Sequence, residues 1–427
     1  MRPPLKVLIN GGGIAGNAVA FWLSRLGHHV TVVERFPSLR VTGLQLDLRG
    51  HGIDVIKQMG LEQAIRNKSA PEEGMQVVDS SGKRRAYFPV NKSGKGKQSL
   101  TTEFEIVRGD LCRVLYDAAL ESKVKPEYIF GTGPQSLVQK GEVVEVLFEN
   151  GQTDEFDLVV GADGQWSRTR RLMHKSETNA SSDSIHIIPD LYFAYYTMRR
   201  PMENGEQYAA TSYMAPGKRG IMTRRHSPGD LQVMLSCRNS SAQMRNARRG
   251  SVTEEKAALA DIFRNAGWIS EDLVKGMMEA DDFYCERPGV VKQESWSQGH
   301  ITLVGDAAYC PTILTGMGTT AAMVGAYILA GEIARHATDN KDAGSLRVAL
   351  TNYELKFRPY MDQIQDGVVE KATYQYTMPD SPLAISIMNW GLGLASYFNL
   401  NIAEIWGIKE VVKGWQLPEY EELPGIS

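Results

Sequence analysis

The stretch Lys6-Val7-Leu8-Ile9-Asn10-Gly11-Gly12-Gly13-Ile14-Ala15-Gly16 decides the fold. Its first five residues form a short apolar run suited to a buried strand. Gly11, Gly13 and Gly16 then fit the Gly-x-Gly-x-x-Gly spacing of a dinucleotide-binding turn. Gly11 permits the tight turn, Gly13 lets backbone approach a pyrophosphate, and Gly16 lets the next helix pack on the strand. Helical spacing runs from Ala18 to Leu26 and stops at Gly27, and His29 to Glu34 supplies a second strand. This is a βαβ unit whose helix N-terminus, at Ile14 and Ala15, offers unpaired N–H groups to an anion. Glu34 lies 18 residues past Gly16, where a carboxylate bonds a ribose hydroxyl pair. A carboxylate there repels a 2′-phosphate, which argues against NADP in this site. Arg35 either reaches the adenosine from the other side or is a solvated surface charge. The turn alone does not choose between NAD and FAD.

The 427 residues exceed the size at which one core stops growing, so two closely packed domains are expected. Hydrophobic residues make up 42% and charged residues 23%, ordinary values for a globular chain. With 50 acidic and 47 basic residues the net charge is −3, and no nucleic-acid footprint is expected. Cys112, Cys237, Cys285 and Cys310 match no zinc or Cys-x-x-Cys pattern. They read as reduced thiols of a cytoplasmic protein without a metal site. From Pro382 to Trp406 the only charged side chain is Glu404, yet Asn389, Asn399 and Asn401 are costly in lipid. A helix packed on the protein is expected there, and membrane contact is not.

Met75–Asp79 and Arg85–Pro89, on either side of Ser81-Gly82, read as a hairpin. Glu105-Ile106-Val107 leads to Arg108-Gly109-Asp110, with Asp110 the expected N-cap of a helix to Leu120. Val143–Phe148, Asn150-Gly151 and Thr153–Val160 make a second hairpin. From about 185 to 290, aromatic and β-branched runs alternate with polar residues: Leu191 to Met198, Tyr208 to Ala215, Gly220 to Arg225, and Leu231 to Cys237. They predict an antiparallel sheet with one buried face. A helix over Thr253–Asn265, a strand over Ile301–Gly305 and a small-residue helix from Thr319 to Arg335 follow.

Three segments bear on the cofactor. Asp157 to Arg170 carries the spacing Asp-x-x-x-Gly-Ala-Asp-Gly-x-x-Ser-x-x-Arg, centred on Asp163. It resembles the Asp-Gly motif of FAD-dependent aromatic hydroxylases, the class A flavoprotein monooxygenases similar to para-hydroxybenzoate hydroxylase. Gly305-Asp306-Ala307-Ala308 with Pro311 resembles their second FAD motif, whose aspartate holds the ribityl hydroxyls. Arg108-Gly109-Asp110-Leu111 resembles their arginine motif, whose side chain reaches the ribityl chain and phosphates. The likeness is strongest to the tetracycline-inactivating monooxygenases, through Gln45–Gly50, Glu105–Leu111, Asp281–Tyr284, Gly305–Pro311 and Val324–Glu332. By motif position Asp47 is a further FAD contact and Arg40 a candidate for a transient NADPH site. The loop after Pro311 departs from the pattern. Where the family carries Gly-x-Gly-x-Asn or Gly-x-Gly-Asn-Asn, this chain has Gly316-Met317-Gly318-Thr319-Thr320. Backbone contact of Gly318 and Thr319 with the flavin survives that change. The amide side-chain contacts do not, which weighs against tetracycline as substrate.

The resemblance implies an α/β fold. A Rossmann-like FAD-binding domain, discontinuous over residues 1–180 and 290–370, would carry an inserted antiparallel-sheet substrate domain over 181–289. A C-terminal helical segment would span 371–427, and its residues 383–406 would cover the substrate region. The implied enzyme is an FAD-dependent monooxygenase that uses NADPH or NADH, and O2. It would insert one oxygen into a bulky aromatic or polyketide-like substrate through a flavin C4a-hydroperoxide, by hydroxylation, epoxidation or Baeyer–Villiger chemistry. A reductase or dehydrogenase of the same fold is the alternative. One dinucleotide fingerprint implies a reductant that only visits. No residue is singled out as catalytic, because the cofactor carries the difficult chemistry. Among the aromatic and methionine residues of the inserted sheet, Tyr196, Tyr213 and Met222 are expected to line the substrate site. Arg224 and His226 either bind a phenolate or enolate or form a solvent-facing strand edge beside Arg225. A monomer or weak homodimer is expected.

Overall fold

The computed structural model describes residues 4–39, 43, 45–90, 104–174, 184–225, 227–336, 343–374, 378–398, 400 and 412–423. Strand β1 (Lys6–Asn10) leads to helix α1 (Ile14–Arg25) and β2 (His29–Glu34). Next come β3 (Gln45–Asp47), α2 (His51–Gln58), α3 (Glu62–Arg66), β4 (Gly74–Val78), β5 (Arg84–Pro89), β6 (Glu105–Val107) and α4 (Arg108–Leu120). The strands β7 (Glu127–Phe130), β8 (Pro134–Lys140), β9 (Val143–Phe148), β10 (Thr153–Phe156) and β11 (Leu158–Gly161) precede α5 (Arg168–Met173). The middle of the chain holds β12 (Ile185–Ile187), β13 (Leu191–Arg199), β14 (Ala209–Ala215), β15 (Arg219–Arg225) and β16 (Asp230–Arg238). Helices α6 (Ala242–Asn246), α7 (Val252–Phe263) and α8 (Ser270–Glu279) follow, then β17 (Tyr284–Glu286), β18 (Gly289–Val291), β19 (Ser297–Gln298) and β20 (Ile301–Leu303). The chain ends in α9 (Asp306–Tyr309), α10 (Gly318–His336), α11 (Ala343–Gln365), α12 (Val368–Tyr374) and α13 (Pro382–Tyr397).

The first sheet has the order β19-β20-β11-β1-β2-β7 and is parallel except at β19. Its central strands are apolar throughout because helices cover them, as parallel sheets require. Helix α1 is buried from Ile14 to Ser24 and packs against α4 and α10. Helix α10 is buried from Thr320 to Ala334, and its small residues admit neighbouring rings. A Cβ at Gly331 would lie 2.3 Å from the Tyr420 ring.

The second large sheet has the order β17-β13-β16-β15-β14-β4-β5. It is antiparallel except where β14 runs parallel to β4. Strands β4 and β5 come from the first stretch of chain. The sheet is therefore not confined to residues 181–289, as the sequence reading expected, and the β4–β5 hairpin extends it. Helices α7 and α8 cover one face through Leu259, Phe263, Leu273 and Met277. On the other face, α13 packs Ala395 and Leu392 against Val77, Ala86 and Phe88 at the β4–β5 end. Ser396 fixes it there by donating to Tyr87 O at 2.7 Å.

Two local expectations change. Val107, with extended backbone, stands at the N-cap of α4, and Asp110 lies in the first turn. Residues 412–423 are not helical but form a strap over α10 and α11. The strap is held by Trp415 Nε1 donating to Lys356 O and by Tyr420 OH donating to Glu332 Oε1. Among the described residues no helix is long and apolar enough to cross a membrane.

Candidate active site

The glycine turn is built as its spacing implies. Gly11 has φ +114°, and a Cβ there would sit 2.6 Å from Ala162 O, so only glycine fits between β1 and β11. A Cβ at Gly16 would fall 1.9 Å from Gly11 O. Gly13 differs: a Cβ there would meet nothing within 4 Å. It faces open space at the N-terminus of α1, which has no side-chain cap and no acidic residue in its first turn. The N–H groups at Ile14 and Ala15 are thus left for an anion. Glu34 holds the turn by accepting from Gly12 N at 2.8 Å and Phe36 N at 3.1 Å. Arg35 is exposed and stacks over Phe36.

Arg108 and Asp306 face one another further along. Burial weakens the Arg108 charge, but Tyr284, Cys112, Asp306 and Glu286 outweigh it and raise its pKa. Burial raises the Asp306 carboxyl, against the opposing pull of Arg108 and the Cys310 thiol. Gly43 makes room for the arginine, since a Cβ there would come 3.0 Å from Arg108 Cδ. The start of α10 closes on the same place, because a Cβ at Gly318 would lie 3.8 Å from Asp306 Oδ1. Pro311 is buried in the loop between, while Thr319 is half-exposed on the first turn of α10.

Thr320 shows what replaces the missing amide. It is fully buried, accepts from Arg49 N at 3.2 Å and donates to Arg49 O at 3.0 Å. The helix start is thereby tied to the segment after β3. Asp47 turns toward Arg49, 3.0 Å from its Nη2.

Asp163 is engaged within the protein. It accepts from Ser167 Oγ, Arg168 N, Thr169 N and Asn10 Nδ2, at 2.5, 2.7, 3.0 and 3.1 Å. These bonds start α5 and pin it to the end of β1, so the motif aspartate shapes the site from behind. Arg170, buried, extends the brace by donating to Ala307 O and Gln165 O, both at 2.8 Å.

The seven-stranded sheet presents two faces, and the sequence reading divided its candidates between them. Tyr196 and Tyr213 lie on the helix-covered face: their hydroxyls donate to Leu273 O and Ala266 O, each at 2.7 Å. They belong to the core under α7 and α8, where the sequence reading had expected substrate-lining residues. The strand register puts Met222 opposite Met234, and Arg224 opposite Gln232, on the other face. Phe193, Tyr195, Met234 and Tyr284 share that face with Leu314 of the loop before α10. Tyr195 stacks on Tyr284 at 4.9 Å. Arg224 is not a solvent edge, since it pairs with Glu105 and lies 3.8 Å from Glu72. Arg225 is buried on the opposite face with Glu206 at 2.7 Å. His226 and Arg40 lie outside the described residues.

Sequence reasoning missed Glu72, Glu105, Gln45 and Gln232. Gln45 N donates to Gln232 Oε1 at 3.1 Å, joining the β3–β6 ribbon to the sheet. Only Gln45 and Glu105 stood near a recognised motif, and neither spacing nor residue type marked the group.

The donor set fits FAD. Free N–H groups suit a pyrophosphate, Arg108 and Asp306 suit phosphate and hydroxyls, and a second helix N-terminus suits an electron-rich ring. An FAD binding domain model matches residues 4–364. An FAD-dependent monooxygenase of Sarocladium schorii is 46% identical over 432 residues, covering 99% of each chain. A monooxygenase of Cercospora beticola is 34% identical over 431 residues, covering 97% of each. The crystal structure of tetracycline destructase Tet(51) superposes with a TM-score of 0.75 at 28% identity, covering 99% of this chain and all of that one. With the glycine turn, the Arg108–Asp306 pair and a facing sheet wall in place, the chain belongs to the family of FAD-dependent monooxygenases with an FAD binding domain.

Proposed function

We propose that this monooxygenase acts on a bulky, flat, neutral aromatic or polyketide-like phenol or enol, with NADPH or NADH as a visiting reductant. The observation that carries the proposal is the side of the seven-stranded sheet opposite α7 and α8. Met234 and the stacked Tyr195 and Tyr284 pack there with Leu314 of the loop before α10. An apolar wall with few polar groups suits a flat, largely hydrophobic ligand. Tetracycline breakdown is the activity named for the Tet(51) structure. Thr319 and Thr320, in place of amide side chains, argue for a different substrate here.

FAD, when bound, supplies the redox and oxygen chemistry. The chain's own contribution is placement. Gly11, Gly13, Ile14, Ala15 and Gly16 would hold the pyrophosphate, and Glu34 and Arg35 the adenosine end. Arg108 and Asp306 would hold the ribityl chain, with Asp47, Pro311, Gly318 and Thr319 flanking the ring. Asp163 would act through the turn it braces. Met222 and Arg224 would meet the substrate, and His226 and Arg40 would serve substrate and NADPH.

The test is NADPH and oxygen consumption by purified, FAD-loaded protein across a panel of phenols and polyketide enols. Substrate-stimulated NADPH use with one oxygen incorporated supports the reading. Flavin reduction without oxygen uptake or product oxygenation on any panel member would favour the reductase or dehydrogenase alternative.

A further inference from the structure

Buried polar atoms are normally hydrogen-bonded, and exceptions mark sites that await a partner. Here the exceptions gather. Both carboxylate oxygens of Glu72, Glu105 Oε2, both amide atoms of Gln45, and Arg224 Nε are buried without a hydrogen bond among the described residues, while Glu105 Oε1 meets Arg224 Nη1. The four residues come from the segment before β4, from β6, from β3 and from β15, and they meet where the β3–β6 ribbon crosses the face of the sheet opposite α7 and α8. The side chains of Glu72 and Glu105 are 3% and 1% exposed, and that of Arg224 is 12% exposed. Four of these six unpartnered atoms are acceptors.

The charges do not balance. Arg224 serves two carboxylates, and Arg49 is already committed to Asp47. Glu72 is faced by Arg224 from β15, by Asp47 from β3, across the arginine by Glu105, and by Tyr87 from β5. Burial is the main cause that pushes its carboxyl up to about 7, with Arg224 pulling it down and Asp47 pushing it further up.

We infer that Glu72, Glu105, Gln45 and Arg224 form an acceptor-rich subsite of the substrate cavity. It takes the hydroxyl groups of a neutral polyhydroxylated aromatic or enol and rejects a carboxylated one. The inference rests on the monooxygenase reading and adds to it the choice among aromatic substrates. A hydroxyl donor satisfies the orphaned oxygens. A substrate carboxylate would add a like charge beside two buried carboxylates that share one arginine, an unfavourable placement when desolvated.

The test uses the FAD-loaded protein and two probes, resorcinol and 3,5-dihydroxybenzoate, with binding followed by the flavin absorption spectrum. At roughly pH 8, with Glu72 ionised, resorcinol should bind at least about tenfold tighter than the benzoate. At roughly pH 6, with Glu72 protonated, the gap should shrink by about threefold or more. Glu72→Gln should show the narrow gap at both pH values, and the exposed neighbour Glu73→Gln should keep the wild-type pattern. Equal affinity, preference for the benzoate, a gap independent of pH, or flavin-loaded protein that binds neither probe would each overturn the subsite. The wild-type pH comparison stands alone if Glu72→Gln fails to fold. A protein that takes up no FAD would overturn the cofactor reading instead, so the two failures are told apart.

Discussion

The two faces of the seven-stranded sheet carry similar residues and do opposite work. On the helix-covered face Tyr192, Tyr196 and Tyr213 pack with Leu235, Phe263 and Met277, and the hydroxyls of Tyr196 and Tyr213 find carbonyl partners. On the other face Met222 and Met234 are half-buried, and Arg224 Nε has no hydrogen bond among the described residues. A face built for stability satisfies its polar atoms internally. A face built for a ligand leaves some of them waiting. Mutations that treat the faces differently test this directly.

The largest effect should come from the packed face. Tyr196→Ala removes a fully buried ring and should cost about 3–5 kcal/mol of stability in urea unfolding. The protein that remains folded should bind FAD normally. Loss of FAD affinity with unchanged stability would reverse the assignment of the faces.

Glu72→Gln should act in the other direction. An acid whose carboxyl is raised from its ordinary 4.5 to about 7 weakens the fold once ionised. The penalty is absent below 4.5, grows between 4.5 and about 7, and is complete above that. The glutamine should therefore raise stability by about 3 kcal/mol at alkaline pH and by almost nothing at acid pH. A gain that does not depend on pH would show that charge burial is not the cause.

Thr320→Val should remove the clamp on the Arg49 backbone for about 1 kcal/mol of stability. FAD affinity should fall several-fold with it, as read by flavin fluorescence titration. Met222→Ser should barely move the melting temperature, within about 0.5 kcal/mol, while raising the KM for an apolar phenol. Equal losses of stability at Met222 and Tyr196 would erase the contrast between the faces.

Much of this was legible in the sequence. The glycine turn, the strand that ends at Glu34 and the strands over 191–238 were legible because each rests on local spacing. The choice of face did not, and the reason is physical. Residues Leu191 to Tyr196 are buried on both sides of the sheet, so the alternation that separates inside from outside vanishes. Tyr195 and Tyr196 differ by one position and by the whole thickness of the sheet. The acidic group was hidden for another reason. Glu72, Glu105 and Arg224 lie on separate elements far apart in the chain, and only the docking of the β3–β6 ribbon unites them. Asp163 was legible as a motif, but its four internal hydrogen bonds were not.

Gly13→Ala tests the central claim most directly. The backbone there has φ −79°, which alanine adopts freely, and the added methyl would meet no protein atom within 4 Å. The apo-protein should keep its melting temperature, while FAD affinity in a fluorescence titration falls at least about tenfold because the methyl occupies pyrophosphate space. A Gly13→Ala protein that binds FAD as tightly as the wild type would contradict the account.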